Sequence, residues 1–215
     1  NEKKHKVSIE IFSAYIPNVA TMAFIAKTKH VIIPTGEFYQ KQTYRNRTKI
    51  VSANGVLNLS IPIIHASKEE RLLDGEVCIS YDENWQLNHW KSFVSAYNSS
   101  PFFEYYQDEL EDVFFTKKKT LVEFNLSLIK LFMDWFEIDT EISLNPLKKK
   151  FNILNTTLIN SKKELPVKFP RYIQVFESKF GFIPNLNTLD LISNLGPESS
   201  VYLNSIDLTP MQELS

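Results

Sequence analysis

Residues 7 to 34 read VSIEIFSAYIPNVATMAFIAKTKHVIIP, and the order of patterns along this stretch decides the fold class. Val7, Ile9 and Ile11 alternate with polar residues, the two-residue period of a half-buried strand. Pro17-Asn18 then punctuates the chain, and Val19, Met22, Ala23 and Ala26 recur at helical spacing. Val31-Ile32-Ile33 is a short apolar run closed by Pro34. Strand, helix and strand over so short a span predict a parallel crossover, which is right-handed almost without exception.

Working outward, Thr48 to Ala53 and Val56 to Ile61 flank Asn54-Gly55, the preferred pair for a two-residue type I′ turn. Leu57, Leu59 and Ile61 alternate on one face of the second arm, and Val77-Cys78-Ile79 reads as a further short strand. Residues 7–83 are thus a sheet-rich half, with the hairpin expected inside one mixed sheet. From Trp85 the period switches to 3.6, with Trp90, Phe93 and Tyr97 on one stripe. Ser100 and Pro101 are placed to cap and start the next helix, whose face is Phe102, Phe103, Tyr106, Leu110 and Val113. Thr120 to Glu123 is a capping box opening a third helix that carries Phe124, Leu128, Leu131 and Trp135. Residues 84–138 are therefore a helical half packed on the sheet. Residues 139–170 lose periodicity and read as a wrapping loop. Residues 171–203 read as two docked helices, Tyr172 to Phe180 and Leu186 to Leu195. The expectation is one α/β domain over residues 1–215.

Composition narrows the function classes. Basic and acidic residues number 24 and 25, which argues against nucleic acid, a partner that calls for a marked basic excess. The lysine runs Lys117–Lys119 and Lys148–Lys150 are short and offset by nearby acids. Five glycines leave little for a phosphate loop, and neither GxGxxG nor GxxxxGK[ST] occurs. The single cysteine, Cys78, fits a reducing compartment and sits in an apolar run as a small hydrophobe. No apolar stretch is long enough for a membrane span, and no signal core follows the charged N-terminus. The expected location is cytoplasmic. The spacing of His5, His30, His65 and His89 matches no metal site, and no cofactor is expected. The chain opens on Asn1 and not on methionine, so its true start is not read from the sequence, and neither is its oligomeric state.

Two constellations could carry chemistry. Tyr39-Gln-Lys41-Gln-Thr-Tyr-Arg45-Asn46-Arg47 is polar and aromatic although it leads into an apolar hairpin. On an extended strand Arg45 and Arg47 share a face with Asn46 opposite. Two adjacent guanidiniums repel unless an anion sits between them, and phosphate or carboxylate fits such a fork. Pairing of each arginine with an acid such as Glu37 or Glu104 is the alternative. In the second constellation Trp85 and His89 are i and i+4 on one helix face, suited to a general base beside a stacking platform, or to a satisfied structural histidine. Asp82, Glu83 and Asp190 are further carboxylates that nothing in the sequence pairs.

Ala14-Tyr15-Ile16-Pro17, Tyr39 to Arg47, Leu59 to Pro62, Asn84-Trp85 with His89-Trp90, Ser95 to Tyr97 and Ser100 to Tyr106 together resemble the WbqC-like protein family. Tyr172 to Phe176, Phe180 to Leu186 and Asn194 to Glu198 are similar to its branch in Bacteroidetes-type bacteria. The resemblance runs from about residue 9 to residue 203. It implies a link to bacterial surface-polysaccharide biosynthesis and an acyl- or aminoacyl-transfer role. Many relatives open with His-Gln-Pro-x-Tyr-x-Pro. Here Tyr15 and Pro17 match, while Ile11, Phe12 and Ser13 stand where His, Gln and Pro would fall.

Taken together, these readings put first a transferase for a small anionic substrate. Tyr39, Lys41, Arg45, Asn46, Arg47 and Trp85 would bind it, and His89 would serve as base. A binding module using the same clamp without chemistry is the second reading, and a protein-interaction module the third.

Overall fold

Strands β1 (Lys6–Glu10) and β2 (Thr28–Pro34) lie parallel, Ile9 beside Val31, with helix α1 (Val19–Ala26) crossing between them. The computed structural model describes residues 6–64, 71–147 and 153–212. The first elements are therefore the expected crossover. Asn18 caps α1 by accepting a hydrogen bond from Thr21 N at 2.9 Å. Val19 to Ile25 are all buried, so α1 is covered on every side and runs through the core.

The hairpin forms between β3 (Arg47–Ser52) and β4 (Gly55–Ser60), but it differs from the sequence reading in two ways. A type I′ turn needs positive φ at both central residues. Here Ser52 pairs with Gly55 around Ala53-Asn54, and of these turn residues Gly55 has the positive φ, +110°. A glycine following the turn, as in a bulged hairpin, replaces the Asn-Gly pair. The ribbon also stands apart from the sheet. The third strand of the sheet is β5 (Glu141–Asn145), beside β2 in the strand order β1-β2-β5.

The segment expected to wrap as a loop thus supplies the third parallel strand, followed by α5 (Ile153–Leu158). Glu-Ile-Ser-Leu-Asn gives β5 little apolar content because it is an edge strand, with Leu144 exposed and Ile142 half-buried. The Lys148–Lys150 run lies outside the described residues.

Helices α2 (Trp85–Tyr97), α3 (Phe103–Phe115) and α4 (Leu121–Trp135) fill the middle of the chain. The capping box of α4 is present in both directions, Thr120 Oγ1 with Glu123 N and Glu123 Oε2 with Thr120 N. Ser100 does not cap α3: its hydroxyl turns back to the Tyr97 carbonyl at 2.5 Å, and the helix starts two residues beyond Pro101.

In the tail, the first expected helix shrinks to α6 (Glu177–Phe180). Tyr172 and Gln174 instead spend their side chains on the buried Asp190, at 2.5 and 3.2 Å, which holds their backbone out of helix. Helix α7 (Thr188–Leu195) is capped by Asn187 and followed by α8 (Ser199–Ser205) and α9 (Thr209–Gln212). Reciprocal backbone bonds, Val19 N to Leu186 O and Thr188 N to Pro17 O, join the two capping asparagines' segments. One continuous cluster of buried side chains then runs from Ile9 through α1, α2, α3 and α4 to Met211. No helix among the described residues is long and apolar enough to cross a membrane.

Candidate functional site

The segment from Tyr44 to Asn46 is held by hydrogen bonds to four distant parts of the chain. Tyr44 N donates to Ile159 O, and Tyr44 O accepts from Tyr15 N. Arg45 O accepts from Asn125 Nδ2, and Asn46 O accepts from Ile61 N. This splicing places Arg45 in a turn, and strand β3 begins only at Arg47. The same-face argument for the two arginines, which assumed an extended strand, therefore does not apply; tertiary bonds override the local alternation.

Arg45 is 1% exposed. Its Nη1 donates to Asp74 Oδ1 at 2.7 Å and to the Phe38 carbonyl at 3.3 Å. Its guanidinium lies 3.7 Å over the Phe12 ring, a cation–π contact strengthened by desolvation. The acid in ion-pair contact with it is Asp74, and Glu37 adds a weaker attraction from farther away. Burial pushes the Asp74 carboxyl up to about 6, against the opposing pull of Arg45, while Glu37 adds a little in the same direction as burial.

Arg45 Nε and Nη2 are buried and find no acceptor among the described residues. These two N–H bonds point the same way, and together form the side-on edge by which a guanidinium grips an oxyanion in a bidentate fork. Tyr39 Oη and Arg47 Nε are likewise buried without a partner. Burial raises the Tyr39 phenol well above its ordinary value, and Arg45 and Arg47 both act to lower it. Tyr39, Arg45 and Arg47 thus lie within electrostatic reach of one another. Asn46 is half spent on structure, its Nδ2 donating to Ile61 O at 3.0 Å, while its Oδ1 is buried without a donor among the described residues. Lys41 is exposed on a separate cleft.

His89 and Trp85 form a second group. Their rings meet edge-on with centroids 5.2 Å apart. The Tyr15 hydroxyl is 2.8 Å from His89 Nδ1, and both side chains are buried. Burial drives the His89 pKa down to about 4, opposed by a hydrogen bond with the Ser60 backbone. A neutral imidazole has one acceptor and one donor. Tyr15 and the Ser60 carbonyl match them. Trp85 Nε1 is buried without an acceptor among the described residues. The backbone links the two groups, because Ser60 is the register partner of Arg47.

Asp74, Phe12, Tyr15 and Asn125 complete the site, and of these Asp74, Phe12 and Asn125 were not picked out from the sequence. Tyr15 was marked by its Tyr-x-Pro motif. Asp74 lies 29 residues from Arg45, and no spacing rule links them. Cys78 is half-buried, in a single bridge with Thr120, and is not part of either group. His5 and His65 lie outside the described residues. Among those described, no group of three or more His, Cys, Asp and Glu side chains could hold a metal ion.

The family model of the WbqC-like protein family matches residues 13–160, a span that includes Tyr15, Tyr39 to Arg47, Asp74, Trp85 and His89. The chain belongs to that family. It is also similar to an uncharacterised protein of Mycobacterium tuberculosis, Rv1507c, with 28% identity over 129 residues, covering 58% of this chain and 51% of that protein. The chain therefore spans about half the length of the curated relative it matches. No solved structure matches it.

Proposed function

We propose that this chain binds a small molecule through a phosphate or carboxylate group seated on the Nε–Nη2 edge of Arg45, with Tyr39 and Arg47 completing the donor set. The supporting observation is the cluster of buried N–H and O–H groups without acceptors at those three residues. A buried donor left unpaired costs about 1–3 kcal/mol, and an oxyanion satisfies several donors at once. Asp74 fixes Nη1 and so aims the free edge. Away from bulk water, the attraction is weakly screened.

The transfer reaction that the family resemblance implies, acyl or aminoacyl and linked to surface polysaccharide, would use this anion as its substrate. Binding without chemistry is favoured by His89, whose ring is buried and hydrogen-bonded to Tyr15 and Ser60. A general base needs a free lone pair within reach of the reacting proton.

Calorimetric titration of inorganic phosphate and of acetate tests the proposal. Arg47→Ala and Tyr39→Phe should each weaken binding by about 1.5–3 kcal/mol, the range for hydrogen bonds to charged groups. Arg45 is a poorer test, because its removal strands Asp74 in the core. Unchanged binding in Arg47→Ala together with a lower melting temperature would assign the cluster to structure alone.

A further inference from the structure

A cleft of about 460 Å³ opens between residues 40–43 and the C-terminal end of α5. We propose that it is a second anion site, distinct from the Arg45 edge, for a small ligand carrying two or more linked phosphates. Lys41, Lys162 and Lys163 all line it, from two segments more than a hundred residues apart, and no carboxylate is among its described lining residues. The whole chain has a formal net charge of −1, so this basic concentration is local and does not follow from composition. Three ammonium groups around one concavity repel one another unless a polyvalent anion neutralises them.

The α5 end that leads into Lys162 and Lys163 is polar and largely prepared for this role. A helix C-terminus normally presents free carbonyls that would repel an anion. Here Thr157 O accepts from Asn160 N, Leu158 O from Asn18 Nδ2 and Ile159 O from Tyr44 N. Ser161 O accepts from Lys49 Nζ at 2.8 Å. Four carbonyls at this end therefore already accept a hydrogen bond, which lessens the repulsion they would offer an anion. Gln42 closes the other wall with φ of +62°, and the Ser161 hydroxyl bonds its carbonyl at 3.3 Å. A glutamine held in that left-handed region is strained, as residues of binding loops are. One phosphate would occupy a small part of the volume, whereas a diphosphate carries charge for lysines on both walls.

Titration of inorganic pyrophosphate by calorimetry, at low and at physiological salt, tests this. The wild type should show a site that Lys162→Ala/Lys163→Ala weakens at least about tenfold, the loss of one or more charge-assisted contacts, and that Arg47→Ala leaves in place. Lys130→Ala, an exposed lysine on α4, is the control and should change nothing. No pyrophosphate binding, or binding indifferent to the paired lysine change, overturns the proposal. So does equal weakening by Lys130→Ala, which would reduce the effect to overall charge. Binding lost in Arg47→Ala but kept in the lysine variant would return pyrophosphate to the Arg45 edge, leaving the first site standing and removing the second.

Discussion

At the scale of single residues, the site mixes groups that are fully satisfied with groups that are half satisfied. Arg45 shows both states in one side chain, with Nη1 bonded twice and the Nε–Nη2 edge bonded to nothing among the described residues. His89 is satisfied, and its depressed pKa makes a testable statement. The unfolded imidazole takes a proton near pH 6.5, the folded one only near 4. Between those values the unfolded state binds more protons, so stability is lost as pH falls through that window. Asp74 and Asp190, raised to about 6, act in the opposite direction, since each folded carboxyl binds its proton first. Comparing wild type with His89→Gln cancels both. The stability advantage of wild type, from urea unfolding, should be about 2 kcal/mol smaller at pH 5 than at pH 7.5. An advantage that does not change with pH would give His89 an ordinary pKa and a wetter surrounding.

At the scale of elements, close backbone approach sets where β5 can sit. An added Cβ at Gly36 would lie 2.0 Å from the Pro146 carbonyl oxygen, just past the ends of β2 and β5. Backbone cannot yield as a flexible side chain can. Gly36→Ala should therefore force the two strand ends apart and lower stability by about 1–3 kcal/mol, as overpacking does. Thermal melts of the variant check this, and an unchanged melting temperature would mean the crossing has slack. The same closeness explains why a strand with so little apolar content pairs at all. Its partner β2 is buried at Val31 and Ile33, and β5 covers its open edge.

On the scale of the whole molecule, the tail is part of the main core. The paired caps at Asn18 and Asn187 tie α7 to α1, and Leu189, Leu191, Ile192 and Leu203 are buried in the common cluster. A chain ended at Phe169 would expose α1 along this side, and the released segment is too short to bury a core without metal or disulfide. The shortened chain should lose its cooperative transition, and residues 171–212 alone should show a coil-like circular dichroism spectrum. Limited proteolysis yielding a stable folded C-terminal fragment would contradict both expectations.

Local pattern alone determined much of this architecture. The β1-α1-β2 crossover, the existence of the hairpin, the period switch at Trp85 and the Thr120 capping box all depend on residues a few positions apart. Their causes are alternation, helical spacing and reciprocal capping, which a sequence displays directly. Tyr39, Arg45 and Arg47 were legible as unusual polar residues in an apolar setting. Tertiary structure decided what local pattern does not encode. Asp74 became the partner of Arg45, β5 joined the sheet while the hairpin stayed apart from it, and Asp190 drew Tyr172 and Gln174 out of a helix. In each case the deciding contact joins residues at least 16 positions apart. Burial sets its worth, by leaving a buried polar group no water as an alternative partner. That is also why the free edge of Arg45 could be seen only after the chain had closed around it.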